Sequence, residues 1–137
     1  MTGTAEPAPL YHLALAAEWR AALGQGRNYE RSTLGRSLVE QGFIHCSFAH
    51  QVQVVADFIY RDRSDVVLLR IDPSKLSAKV VVENLDGGDE LFPHIYGPLP
   101  LAAVLSASPV TTGADGCLAL PDRWGLQGTL PRPESPG

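Results

Sequence analysis

Three of the four histidines lie in short apolar segments whose residue types are typical of β-strands. They are His12, His45 and His94, in residues 10–14, 43–47 and 92–96 respectively. A single strand histidine most often makes a hydrogen bond to a backbone carbonyl. Burying several imidazoles costs free energy unless they are hydrogen-bonded or used. The sequence therefore predicts that the three histidines share one polar site.

The alternation of side chains along a strand assigns neighbours to each histidine. His45 shares a strand face with Phe43, and His94 shares one with Tyr96. Glu83 is an acidic residue within a segment rich in β-branched residues. Taken alone, it is more simply explained as a solvent-exposed charge at the end of a strand than as a catalytic group. Imidazole titrates near neutral pH, which suits general acid–base catalysis. We predict His45, His94 and Glu83 as the catalytic groups.

Other residues near these strands could hold a ligand. Ser47 precedes the amphipathic residues 48–60, which predict a helix with Ser47 as its N-cap, and free N–H groups at a helix start bind phosphate. Tyr96 and His94 lie two residues apart, which suits a pocket for a flat ring. None of the histidine spacings is a metal motif, so no metal is expected.

The remaining pattern predicts helices early in the chain and strands late. Helices are expected at residues 16–23, 33–41 and 48–60, and further strands at residues 66–71, 79–84, 91–96 and 101–106. Residues 85–90 contain Asp-Gly-Gly, which predicts a hairpin turn. This order is typical of an α+β fold.

Composition sets limits on the class of protein. The chain has 137 residues and a net charge of −4, which fits one domain and argues against general nucleic-acid binding. Residues 1–9 are expected to be a flexible leader, 10–120 the domain, and 121–137 a Pro-rich extended or disordered tail. We find no segment apolar enough to span a membrane and no signal peptide. Two cysteines without a CxxC motif suit the cytoplasm.

Several segments together resemble the DUF952 family of small, uncharacterised bacterial proteins. They are Tyr11-His12, Trp19, SLVEQGFIHCS at residues 37–47, LRID at 69–72 and FPHIYGPL at 92–99. The resemblance covers residues 10–105. It implies an ADP-ribosyltransferase-like fold, in which two small, mainly antiparallel sheets surround a cleft and helices pack early in the chain.

The resemblance also implies a function and roles for individual residues. The expected activity is binding of NAD or a related small-molecule nucleotide, with transfer of ADP-ribose or chemistry like that of an RNA 2′-phosphotransferase. His12 would contact the ribose, Ser47 would support it, and Glu83 would be the catalytic glutamate. From its spacing to His94, Tyr96 is also expected to bind the nucleotide. A non-catalytic binding module and a metal-dependent hydrolase using the histidines stay open as alternatives.

The acceptor of such a transfer is not indicated by the sequence. The acidic net charge favours a protein or small-molecule acceptor over RNA. One local group of basic residues, Arg27, Arg31 and Arg36, keeps RNA open as a partner.

Overall fold

The computed structural model describes residues 8–84, 90–121, 124 and 126. Seven strands in these residues form two antiparallel sheets, accompanied by three short helices and three 3₁₀ turns. Helices are few, and the strands carry most of the architecture. The result is a small mixed α/β domain, which agrees with the α+β prediction.

The larger sheet has four strands in the order β1-β3-β6-β7. These strands are β1 (Leu10–Leu15), β3 (Val66–Ile71), β6 (Val104–Thr112) and β7 (Leu118–Ala119). Neighbouring strands pair antiparallel, with His12 opposite Leu69 and Leu69 opposite Ala107. Both faces of this sheet are covered by apolar side chains, so the near-continuous hydrophobic run of β3 is buried on both sides.

The smaller sheet has three strands in the order β2-β5-β4. These strands are β2 (Ile44–His45), β4 (Lys79–Glu83) and β5 (Phe92–Tyr96). Its inner face, which includes Ile44 and Ile95, packs against Leu10, Ala14 and Leu69 of the larger sheet. The backbone bridge between Tyr11 and Ser47 joins the two sheets directly.

Three helices complete the domain: α1 (Ala16–Gln25), α2 (Leu38–Gln41) and α3 (Val52–Ile59). α1 ends at Gly26, whose φ of 62° is a left-handed C-cap conformation that glycine adopts readily. α2 begins at Ser37, which forms a capping box with Glu40. α3 buries Val52, Val55 and Ala56 on the outer side of the larger sheet. None of the described helices is long and apolar enough to cross a membrane.

Several element predictions were wrong in detail. Residues 101–103 form a 3₁₀ turn, and the strand expected there begins later and runs on to Thr112, through Pro109. Proline is tolerated in β6 because β7 pairs only with Thr111 and Thr112, which leaves Pro109 at a sheet edge among the described residues. The helix expected over 33–41 is interrupted, because Leu34 has a φ of 52°.

The chain ends of the predicted domain also need correction. Trp124 and Leu126, expected in an extended or disordered tail, pack on the core formed by α3 and the larger sheet. The Trp124 ring lies 6.2 Å from the ring of Tyr11. The hairpin turn predicted at 85–90 lies outside the described residues except for Glu90, as do most of the leader and tail.

Candidate functional site

Two histidines meet on the outer face of the smaller sheet. His45 on β2 lies directly opposite His94 on β5, and their ring centroids are 5.2 Å apart. The neighbouring residues in the same strands, Ile44 and Ile95, are fully buried between the sheets. Because side chains alternate along a strand, both imidazoles must project from the opposite, outer face.

A carboxylate and a phenol join His94 on this face. His94 Nδ1 lies 2.9 Å from Glu83 Oε2, and the Tyr96 hydroxyl donates to the same carboxylate oxygen. These two hydrogen bonds, from Tyr96 first and then His94, hold the pKa of Glu83 below its usual value. The charged carboxylate in turn raises the pKa of the Tyr96 phenol. Glu83 is therefore ionised, and as an acceptor it requires a proton on His94 Nδ1.

That proton fixes the tautomer of His94. With Nδ1–H bound to Glu83, a neutral imidazole carries its lone pair on Nε2. The Phe43 ring stacks on the His94 ring at a centroid distance of 4.1 Å and an interplanar angle of 15°, and only 3% of His94 is exposed. The orientation of His94 is thus determined from two sides, by the carboxylate and by the stacked ring. An imidazole held in this way can accept a proton in a defined direction.

A cavity of about 260 Å³ opens against the two histidines. It is lined by Thr33, Leu34, Arg36, Gln41, Phe43, His45, Ile59 and His94. One wall is formed by the first 3₁₀ turn (Thr33–Gly35) together with Arg36 and Gln41, the end of α3 forms another, and the smaller sheet forms the floor. This volume is near the lower end of the range for small-molecule sites, roughly 300–1,000 Å³.

His12 lies on the other side of the smaller sheet, between the two sheets. Its Nδ1 lies 2.7 Å from the carbonyl oxygen of His45, and its Nε2 lies 2.9 Å from the Tyr29 hydroxyl. A carbonyl only accepts, so Nδ1–H donates to His45 and the Tyr29 O–H donates to Nε2. The three predicted histidines therefore do not line one cleft, because the backbone of β2 separates His12 from the other two rings.

Burial decides the ionisation of His12 and Tyr29. It lowers the pKa of His12 to about 4, although the hydrogen bond to the His45 carbonyl acts in the opposite direction. Burial also raises the pKa of Tyr29, with a further contribution from the charge of Glu18. His12 is neutral at pH 7, and Tyr29 keeps the proton that it donates. This pair supports the main chain of His45 from beneath, and Trp19 packs edge-on against Tyr29.

Ser47 does not begin a helix, contrary to the sequence prediction. α3 starts at Val52, and Gln51 occupies the N-cap position without a side-chain capping bond. Ser47 instead exchanges both backbone hydrogen bonds with Tyr11 and is buried. The predicted phosphate site at Ser47 depended on free N–H groups following it, and the bridge to β1 removes that basis.

A cysteine nucleophile and a three-histidine metal site are not supported. Cys46 points into the core between the sheets, and burial raises the pKa of its thiol. Among the described residues, no group of three or more His, Cys, Asp and Glu side chains is placed to hold a metal ion. The hydrolase alternative needed His12 as a ligand, and both of its ring nitrogens are already hydrogen-bonded inside the protein.

A larger cavity of about 360 Å³ lies between α1 and residues 27–31. Its lining includes Arg27, Arg31 and Tyr29 but none of the six residues predicted to act at the site. We place the candidate site at the smaller cavity, because two of the predicted residues, His45 and His94, line it and His94 is hydrogen-bonded to Glu83 there. Volume alone does not identify a site.

The predicted site residues thus fall into three positions. His45 and His94 line the cavity, Glu83 contacts His94 beside it and Tyr96 contacts Glu83, and His12 and Ser47 lie beneath or away from it. Thr33, Gln41 and Phe43 were not predicted as site residues. Strand alternation places Phe43 on the same face as His45, so the sequence could have identified Phe43 as a site residue. Thr33 and Gln41 reach the cavity only through the tertiary fold, which no local pattern predicts.

Fold and site together define a small mixed α/β protein with two antiparallel sheets and a histidine–glutamate pair on one outer face. A family model described as "Protein of unknown function (DUF952)" matches residues 13–107, and the chain belongs to this family. The expectation from the sequence motifs is confirmed.

Solved structures of one protein share this fold. The chain is similar to protein CC0527 from Caulobacter crescentus, with 33% identity and a TM-score of 0.73 to its crystal structure, over 86% of this chain and 99% of that chain. Against the solution NMR structure of CC0527 the identity is 33% and the TM-score 0.70, over 84% and 95% of the two chains. No curated protein matches the chain.

Proposed function

We propose that the chain binds a nucleotide in the cavity above the smaller sheet and that His94 acts there as a general base. The observation that carries this proposal is the Glu83–His94 hydrogen bond of 2.9 Å beside a cavity that His94 lines. Glu83 does not line the cavity, so it acts through His94, as a positioning residue. A carboxylate in this relation stabilises the imidazolium that forms when the ring takes a proton.

NAD is the nucleotide that the family resemblance implies. The ADP-ribosyltransferase-like fold and activity are part of this proposal. The cavity is sized for one half of a dinucleotide, so the rest of NAD would extend beyond it. Arg36 provides a positive charge for a phosphate, and Phe43 provides an aromatic surface.

The proposed reaction is transfer at the nicotinamide ribose. An oxygen nucleophile attacks C1′ as the bond from C1′ to nicotinamide breaks, through an oxocarbenium-like state. The proton of the nucleophile passes to His94 Nε2, and nicotinamide leaves. His45, beside His94, contacts the sugar or the leaving group. A water molecule as nucleophile gives the simplest form of the reaction, which is hydrolysis of NAD.

Ligand binding and turnover test the proposal separately. A ligand at about 100 times its Kd stabilises the folded state by about 3 kcal/mol, which a thermal-shift assay detects. We expect stabilisation by NAD or ADP-ribose and release of nicotinamide from NAD. His94→Gln should lower the rate by about 100-fold or more. His50→Gln is the matched control, because His50 is exposed and lies outside the cavity.

Each result has a clear meaning. No stabilisation by NAD or ADP-ribose would contradict the nucleotide-binding proposal. Binding without nicotinamide release would favour the non-catalytic binding module, which the same cavity could serve. Turnover that His94→Gln leaves unchanged would rule out His94 as the base.

A further inference from the structure

The polar lining of the cavity combines a guanidinium, whose N–H groups only donate, with hydroxyl, amide and imidazole groups that can donate or accept hydrogen bonds. The Arg36 guanidinium, the Thr33 hydroxyl, the Gln41 amide and the imidazoles of His45 and His94 all line it. Among the residues that the structure describes, no acidic side chain lines the cavity, and Arg36 is the one lining residue that carries a fixed charge. Arg36 is exposed, and its contact with Gln41 Oε1 is long, at 3.4 Å. Its other donors can turn to a ligand, and they favour an anionic group that accepts hydrogen bonds.

The remaining wall of the cavity is apolar and exposed. Leu34 and Ile59 line it with 45% and 37% of their surfaces accessible. Exposed apolar side chains grouped around a cavity mark a surface that a ligand can cover. Phe58 is adjacent to Ile59 on α3 and is 87% exposed, but it does not line the cavity.

The backbone holds Leu34 at the cavity in a conformation that leucine rarely adopts. Its φ of 52° and ψ of 36° are left-handed, a region that costs free energy for residues with a Cβ. The Tyr60 hydroxyl accepts from the Leu34 N–H at 3.0 Å and donates to the Leu13 carbonyl at 3.3 Å. A buried tyrosine at the C-terminal end of α3 thus ties this residue to β1. Backbone strain retained in this way clusters at ligand sites.

We propose that the cavity selects a small anion that carries an apolar body, either a carboxylate or a phosphate monoester. Arg36 binds the anionic group, and Leu34 and Ile59 cover the apolar part. This inference rests on the cavity of the proposed function and concerns the chemical group that the cavity recognises; it does not require that the ligand be NAD. It does not depend on the acid–base role of His94.

The test uses four small probes of stated chemistry. Phenyl phosphate, benzoate, inorganic phosphate and phenol are titrated into the full chain, and binding is followed by calorimetry and by amide NMR shifts. We expect phenyl phosphate or benzoate to bind at least about tenfold more tightly than inorganic phosphate and than phenol, because only they satisfy both walls. Which of the two binds more tightly identifies the anionic group.

Matched variants assign the two parts of the ligand. Arg36→Gln should weaken binding of the preferred anion about tenfold or more, while Arg20→Gln, an exposed change on α1, should leave it unchanged. Ile59→Ala should weaken it several-fold, while Phe58→Ala should not. Leu34→Gly tests the strained position. It keeps the left-handed backbone at no steric cost, so the fold should survive while affinity for phenyl phosphate falls.

Several results would overturn the inference. If phenol bound as tightly as the anions, Arg36 would not be the group that recognises the ligand. The same conclusion would follow if the Arg36→Gln variant bound the preferred anion as tightly as the wild-type protein does. Equal affinity for inorganic phosphate and phenyl phosphate would show that Leu34 and Ile59 do not contribute to ligand binding. Glu83→Gln separates this inference from the proposed function: it should abolish nicotinamide release but leave probe affinity within about threefold. Probe binding in a protein that never turns over NAD would refute the proposed reaction alone.

Discussion

Acidification from pH 7 to pH 5 should destabilise the protein by about 2 kcal/mol through His12 alone. His12 is buried between the sheets as a neutral imidazole, and burial lowers its pKa from 6.5 to about 4. In the unfolded chain His12 takes up its proton near pH 6.5, whereas in the native state it resists protonation until about pH 4. The unfolded state therefore binds more protons across this window, and stability falls as the pH falls.

The magnitude follows from the size of the pKa difference. One pKa unit corresponds to about 1.4 kcal/mol, so the shift from 6.5 to about 4 gives a total loss of about 3 kcal/mol when the pH reaches the folded-state pKa. About 2 kcal/mol of this loss falls between pH 7 and pH 5. Carboxylates with lowered pKa values, such as Asp65 and Asp72, lose their contributions only at lower pH, below their ordinary values. These carboxylates therefore do not contribute to the change in stability between pH 7 and pH 5 that we assign to His12.

Urea unfolding of wild type and His12→Gln at half-unit steps from pH 7 to pH 5 isolates this contribution. The difference in unfolding free energy between the two proteins should shrink by about 2 kcal/mol across the range, because glutamine does not titrate. A difference that stays constant with pH would refute the reasoning. If His12→Gln does not fold, an NMR titration of His12 in the wild-type protein replaces it. A pKa at or above 6.5 there would refute the account equally.

Three further predictions concern the interior and α2. Tyr29→Phe removes the O–H that donates to His12 Nε2. We expect urea unfolding at pH 7 to show a loss of about 1–3 kcal/mol in the free energy of unfolding. An unchanged unfolding midpoint would contradict a stabilising role for that hydrogen bond. A thiol reagent should modify Cys117 in the native protein and Cys46 only after unfolding, because burial raises the pKa of the Cys46 thiol and removes it from solvent; native reaction of both would be inconsistent with the core. Ser37→Ala breaks the capping box of α2 and should cost about 0.5–2 kcal/mol in the same urea assay, while no loss would show that the box is not needed.

The site face could be predicted from sequence because strand alternation is a local rule. Placing His94 with Tyr96, and His45 with Phe43, required only the two-residue period of a strand. The structure keeps both assignments, with Phe43 stacked on His94 and Tyr96 sharing Glu83 with it. Alternation therefore determines which residues share a strand face with each histidine, whereas the Glu83–His94 contact depends on the register of β4 against β5.

The position of His12 could not be predicted in the same way. Alternation places its side chain on the face of Leu10 and Ala14, but it does not say which other sheet that face will meet. In the structure that face meets the inner side of the smaller sheet, so His12 contacts a carbonyl of β2 rather than the cavity. The relation between two sheets is a property of the whole fold.

The errors at Ser47 and in the tail have related causes. The apolar pattern of residues 48–60 predicts one helix, but residues 49–51 form a turn before the helix begins. Ser47 pairs with β1 and so joins the two sheets. The Pro-rich composition after residue 120 suggested an extended tail, yet Trp124 and Leu126 find apolar partners on the core. In both places a tertiary contact overrides a local signal.

The tautomer of His94 is the most direct test of the account, because the proposed base depends on it. Long-range ¹H–¹⁵N NMR correlations of the His94 ring, recorded at a pH at which the ring is neutral, should show the proton on Nδ1 and an unprotonated Nε2. In Glu83→Ala, which removes the acceptor of this hydrogen bond, that preference should be lost, while Glu30→Ala, a change at an exposed acid outside this hydrogen bond, should keep it. A neutral His94 ring with its proton on Nε2 in the wild-type protein, or a tautomer that Glu83→Ala leaves unchanged, would contradict the claim that Glu83 orients His94 toward the cavity.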